Sequence, residues 1–272
     1  MPRITVEDGV SLYYKDWGTG RPVILIHGWP LQADSWDDIG HALVEAGHRV
    51  IAYDRRGFGR SDQPWDGYDY DRLADDLAAV IEATGVEDAA LVGFSMGGGE
   101  VVRYMSRHGG ARVSRVALIA SVVPGLLKSA SNPDGADAAL FEGIKAGLLK
   151  DRPKFLADFF PGFYGAGLLS SPVSKEVIAW SVAMAMQAGL RPTLACVDAW
   201  GRTDFAPDLA AVTVPTLIVH GTADETVPID ITARRVARIL PHAQLVEVEG
   251  GPHGLPATHK EAIAQDLIAF LA

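Results

Sequence analysis

Three residue types, far apart in the chain but each just past an apolar run, could together carry acyl transfer: a serine, an aspartate and a histidine. Ser95 stands in Gly93-Phe94-Ser95-Met96-Gly97-Gly98-Gly99. A hydroxyl is a weak nucleophile until a base takes its proton, and the base works best when a carboxylate orients it. Ala89 to Val92, just before the motif, is apolar and too short for a helix. Val101, Val102 and Met105 follow it at helical spacing until Gly109 and Gly110. Strand, sharp turn and helix is the setting in which G-x-S-x-G becomes a nucleophile elbow. So tight a turn strains the serine backbone, and the glycines two residues either side must lack a Cβ. The helix starting after Ser95 points unpaired N–H groups at any negative charge formed there. The stretch fits neither G-x-G-x-x-G nor the P-loop, since no Lys-Ser or Lys-Thr follows, which argues against a phosphate cradle.

In an open α/β sheet, catalytic side chains sit beyond the carboxyl ends of strands. That rule filters the eight histidines. His41, His48, His108, His242 and His259 fall in helices, at helix ends or before strands. His27 and His220 each precede a glycine at a strand end, and structural and catalytic roles are both open to them. His253, in Gly251-Pro252-His253-Gly254 after the last strand, is free to reach back over Ser95 and is the best general base. Asp224, in His220-Gly221-Thr222-Ala223-Asp224-Glu225, follows the preceding strand and can accept the Nδ1 proton of a histidine. Glu225 is its rival, with a longer side chain expected to face solvent. The order Ser, Asp, His is that of an α/β-hydrolase. An oxyanion needs two N–H donors: Met96, following the nucleophile, and Trp29 in His27-Gly28-Trp29-Pro30. Pro30 has no N–H and directs the Trp29 backbone towards extended geometry.

The elements that must position these residues alternate. A hairpin around Glu7-Asp8-Gly9 leads to an apolar strand at Val23 to Ile26, then a helix carrying Trp36, Ile39 and Leu43. Further strands are expected at Val50 to Tyr53, the elbow, Val116 to Ala120, Thr216 to Val219 and Leu245 to Val248, with a helix on Leu73, Leu77 and Ile81. The last helix is expected to open with a capping box, Thr258-x-x-Glu261. This alternation implies a mostly parallel sheet covered by helices on both faces. From 122 to 190 no apolar strand occurs, so residues 1–121 and 191–272 form the expected core and 122–190 a helical cap. Phe159, Phe163 and Trp200 are candidate walls of an acyl pocket, with packing of cap on core as the equal alternative.

Of the 272 residues 48% are hydrophobic, which excludes a disordered chain. A net charge of −10 argues against nucleic-acid and anionic-membrane partners. The single Cys196 leaves no internal disulfide and no cysteine-based zinc site, and is expected to fill the core. The opening Met-Pro-Arg-Ile-Thr-Val-Glu-Asp has no apolar signal region, so a cytoplasmic location is expected. No metal-ligand spacing such as H-E-x-x-H is present, and neither metal nor cofactor is expected.

His27-Gly28-Trp29-Pro30, Asp54-Arg55-Arg56-Gly57-Phe58-Gly59-Arg60-Ser61, the Ser95 elbow and Pro252-His253-Gly254 together resemble the cofactor-free haloperoxidase family, bacterial α/β-hydrolases that include aryl esterases, perhydrolases and a γ-lactamase. The resemblance covers nearly the whole chain. It implies an eight-stranded α/β-hydrolase fold and places nucleophile, acid, base and donors on Ser95, Asp224, His253, Trp29 and Met96. Pro30 matches the branch named non-haem chloroperoxidases and becomes a candidate pocket residue. Gly125 is a departure, standing where relatives carry bulkier residues. The implied activity is hydrolysis of small carboxylic esters, with hydrogen peroxide as an alternative acyl acceptor. The peracid so formed would oxidise halide without a metal. An amidase or γ-lactamase shares the same acyl-enzyme, and a non-catalytic ligand-binding protein is the reading from another class. Assembly into a homo-oligomer is compatible with the sequence.

Overall fold

The computed structural model describes residues 2–167 and 170–272. Strands β1 (Arg3–Thr5) and β2 (Ser11–Trp17) pair antiparallel across a turn closed by Val6 and Val10. The chain then alternates: β3 (Arg21–Ile26), α1 (Asp37–Glu45), β4 (His48–Tyr53), α2 (Tyr70–Thr84), β5 (Ala89–Phe94), α3 (Met96–Arg107) and β6 (Val113–Ile119). Three helices follow, α4 (Ala138–Phe163), α5 (Lys175–Gln187) and α6 (Leu190–Arg202). The fold closes with β7 (Thr216–Gly221), α7 (Ala233–Ile239), β8 (Gln244–Val248), α8 (Leu255–Thr258) and α9 (Lys260–Leu271). The eight strands form one sheet in the order β1-β2-β4-β3-β5-β6-β7-β8, antiparallel at β1–β2 and β2–β4 and parallel elsewhere.

The near-continuous apolar strands follow from burial on both faces. Val23 and Leu25 of β3 point with Val92 and Ile119 towards Ile39 and Leu43 of α1 and Ile263 and Leu267 of α9. Ile24 and Ile26 point the other way, with Leu91 and Leu118, towards Leu73 and Leu77 of α2 and Val101 and Met105 of α3. Each such side chain contributes roughly 1.5–3 kcal/mol on burial. Cys196 is fully buried in the second of these clusters, and burial pushes its thiol up to about 12.

One local feature differs from the sequence expectation. The capping box at Thr258 does not form. The hydroxyl instead donates to Gly254 O at 3.2 Å and lies 2.8 Å from His259 Nδ1, so Thr258 closes α8 and His259 precedes α9. Helix α4 breaks at Asp151 (φ −162°, ψ 89°), two residues before Pro153, and the Asp151 carboxylate caps the second half through Lys154 N–H at 3.0 Å. Helix α6 starts at Leu190, where the sequence ends the cap, and packs on α4; residues 168 and 169 of that segment lie outside the described residues. Among the described residues no helix is long and apolar enough to cross a membrane.

Candidate active site

Ser95 links β5 directly to α3 with φ 53° and ψ −118°, a conformation that costs a non-glycine residue roughly 1–3 kcal/mol. Its neighbours show how the strain is held. A Cβ on Gly93 would stand 2.5 Å from Gly97 O, and one on Gly97 would stand 2.4 Å from Ile26 O. Backbone therefore packs against backbone on both sides of the serine. Ser95 N–H donates to Ile119 O at 2.9 Å, fastening the elbow to the end of β6.

His253 and Asp224 come from the loops after β8 and β7 and meet Ser95 at the same sheet edge. His253 Nε2 lies 2.9 Å from Ser95 Oγ, and His253 Nδ1 lies 2.7 Å from Asp224 Oδ2. The network assigns the proton to Nδ1, because a carboxylate can only accept, leaving Nε2 to take the serine proton. Asp224 Oδ1 accepts from the N–H groups of Thr226 at 3.0 Å and Val227 at 2.7 Å. Burial alone would raise this carboxyl, but His253 and His220 beside it hold it well below the usual carboxylate range. Glu225 is exposed and takes no part in this chain of hydrogen bonds.

Trp29 and Pro30 form the middle of a turn in which Leu31 N–H donates to Gly28 O at 2.9 Å. Among the described residues the backbone N–H groups of Trp29 and Met96 donate to no protein acceptor. Trp29 Nε1 donates to Thr193 O at 3.0 Å, which ties this loop to α6. Trp29, Ser95 and His253 line a cavity of about 440 Å³, with Phe159, Phe163 and Trp200 among its walls and Glu225 also on its lining. Phe163 meets the His253 ring edge-on at 4.8 Å between centroids. Pro30, the other pocket candidate, is buried next to Trp29 and is not among the residues that line this cavity. Gly125 is also outside it. Its φ of +148° suits glycine, and its carbonyl accepts from Asn132 Nδ2 beside a separate hollow.

The family model describing the alpha/beta hydrolase fold matches residues 21–259. The chain belongs to this family. Within the α/β-hydrolases it is 45% identical over 277 residues to a non-heme chloroperoxidase of Kitasatospora aureofaciens, covering 100% of this chain and 99% of that protein. It is 41% identical over 274 residues to a bifunctional esterase/perhydrolase of Acinetobacter calcoaceticus, with 100% and 99% covered. The crystal structure of a bromoperoxidase from Bacillus anthracis superposes with a TM-score of 0.96 at 44% identity, covering 99% of each chain.

Two groups in this α/β-hydrolase are not evident from sequence reasoning. Arg55, in the loop after β4, is buried against Glu100 of α3, and donates to His27 O at 2.7 Å. Tyr53 Oη donates to Glu100 Oε2 at 2.7 Å, and Arg55 N–H donates to His27 Nε2 at 3.0 Å. Burial, with Arg55 beside it, holds His27 well below the ordinary histidine range. His27 is therefore a neutral structural member that carries the Trp29 loop. The second group is His220, whose Nε2 lies 3.2 Å from Asp224 Oδ2. Its signal was its place four residues before Asp224.

Proposed function

We propose that this enzyme is a serine hydrolase of small aryl and alkyl carboxylic esters that also transfers the acyl group to hydrogen peroxide. The observation that carries this reading is the Ser95–His253–Asp224 chain of hydrogen bonds, at 2.9 and 2.7 Å, on the wall of an aromatic cavity. His253 Nε2 takes the Ser95 proton as Oγ attacks the ester carbonyl, and Asp224 stabilises the imidazolium. The Trp29 and Met96 N–H groups, free of protein acceptors, receive the tetrahedral oxyanion. The imidazolium then protonates the departing alkoxide or phenoxide, leaving an acyl-serine. His253 next takes a proton from water, giving the acid, or from hydrogen peroxide, giving the peracid. Peracid and bromide or chloride then yield carboxylate and hypohalous acid in solution. The names of the relatives, chloroperoxidase and esterase/perhydrolase, support this pairing of activities.

We assign residues 122–190 to a cap over the core of residues 1–121 and 191–272, with Phe159, Phe163 and Trp200 as acyl-pocket walls. We place the enzyme in the cytoplasm, with ester and peroxide as its partners. Labelling by a fluorophosphonate probe, with turnover of an activated aryl acetate with and without peroxide, tests the proposal. Stoichiometric labelling at Ser95 and peracid formation dependent on peroxide are expected. An unlabelled, folded protein with no turnover would make it a binding protein instead.

A further inference from the structure

Asp224 carries four hydrogen-bond contacts, of which a Ser-His-Asp chain requires only the one to its histidine. Two backbone N–H groups fill Oδ1, and His253 Nδ1 meets Oδ2. The remaining partner is a second buried imidazole. His220 Nε2 lies 3.2 Å from the same Oδ2 and 2.8 Å from Val227 O. A backbone carbonyl can only accept, so His220 Nε2 bears a proton shared between the two oxygens. Its Nδ1 is buried and has no partner among the described residues. The proton that the contacts place on this ring is therefore the one on Nε2.

We propose that His220 is a positioning residue for the reaction: it shares Asp224 Oδ2 with His253, fixing the carboxylate and moderating the charge that His253 feels. The inference rests on the reading of Asp224 as the acid of the proposed triad. The surroundings leave this contact as the specific link. Glu247 stands opposite His220 on β8 but is paired with Arg234, which also holds Asp230. Glu225 is exposed, and Tyr164 by His253 is bonded to Ser181. The rings of Phe94 and Phe163 flank His253 without charge. Without the His220 N–H, the full charge of Oδ2 acts on His253 and stabilises its protonated form. The base is then lost at a higher pH.

The test uses His220→Phe, which keeps ring volume without a donor, and His220→Gln, which keeps an N–H donor and cannot titrate. In the Phe variant the acid limb of the kcat/KM profile should move up by about half a unit to one unit, while the Gln variant stays near the parent. A ring that only fills space would lower stability and leave the limb in place. Nitrogen-15 NMR of the unaltered enzyme should show the His220 ring proton on Nε2, bonded to Asp224 and Val227. An unmoved limb in folded His220→Phe, or a His220 that carries its proton on Nδ1 alone, overturns the proposal. Should the Phe variant fail to fold, the NMR result decides. Full turnover by Ser95→Ala would instead defeat the functional reading, and the His220 tautomer would still be read independently.

Discussion

Behind the β5–Ser95–α3 elbow, Arg55, Glu100, Tyr53 and His27 form a buried polar group in which none of the side-chain N or O atoms is left without a partner. In front of it, Trp29, Phe159, Phe163 and Trp200 enclose a cavity whose walls are mostly apolar. Hydrogen bonds between buried ions depend on direction, so the rear group pins the Trp29 loop to the start of α3. Aromatic contacts depend far less on direction, so under the proposed function the front face would sort substrates by volume and shape. On that reading one region would hold the reacting atoms in place, and the other would choose what they meet.

The comparison breaks most sharply at the nucleophile between the two regions. Ser95→Ala should abolish ester hydrolysis and peroxide-dependent bromination together, measured on the same purified protein. Bromination that survives would have another origin. Next in size is the acid. Asp224→Asn should lower kcat by on the order of 10⁴ with the fold intact, while Glu225→Gln on the exposed rim has a small effect. A reversal of those two results would move the acid to Glu225.

A third measurement compares the regions directly by denaturant unfolding. Breaking the rear pair with Glu100→Gln or Arg55→Met leaves a buried partner uncompensated and should cost about 3–5 kcal/mol. Phe159→Leu in the cavity wall should cost under about 1.5 kcal/mol but alter the ranking of acyl donors by size. Equal losses of stability would remove the distinction drawn here. The smallest effect concerns Pro30. Hydrogen peroxide carries a second O–H that the Trp29 carbonyl can accept, and one such bond of about 1 kcal/mol is a roughly fivefold bias. Pro30 lies outside the cavity lining, so it acts only through the Trp29 backbone. Pro30→Leu should lower the ratio of perhydrolysis to hydrolysis by about that factor, with both rates read on one acyl donor at fixed peroxide. A parallel fall in both would reduce Pro30 to a stiffener of the loop.

Much of the frame was legible from residue order because it depends on local rules. Apolar runs of strand length alternating with helical spacing are enough for a parallel sheet, and strand direction puts the loops bearing Ser95, Asp224 and His253 at one edge. The glycines around Ser95 announce a turn too tight for side chains, and the close approaches at Gly93 and Gly97 are that crowding. Local order also misled at Thr258, whose hydroxyl was taken by the turn before it.

What only the tertiary structure decided are contacts between residues distant in the chain or turned by a loop. Arg55 and Glu100 are 45 residues apart, and nothing in residue order pairs them. His220 shares a loop with Asp224, yet its contact with Oδ2 depends on how that loop folds back over the end of β7. Pro30 directly follows the cavity-lining Trp29 yet does not itself line the cavity, which residue order does not reveal. Periodicity and strand polarity are properties of neighbours, so residue order determined the frame and the candidate chemistry. The partners of buried polar atoms are set by packing, so only the folded chain determined those.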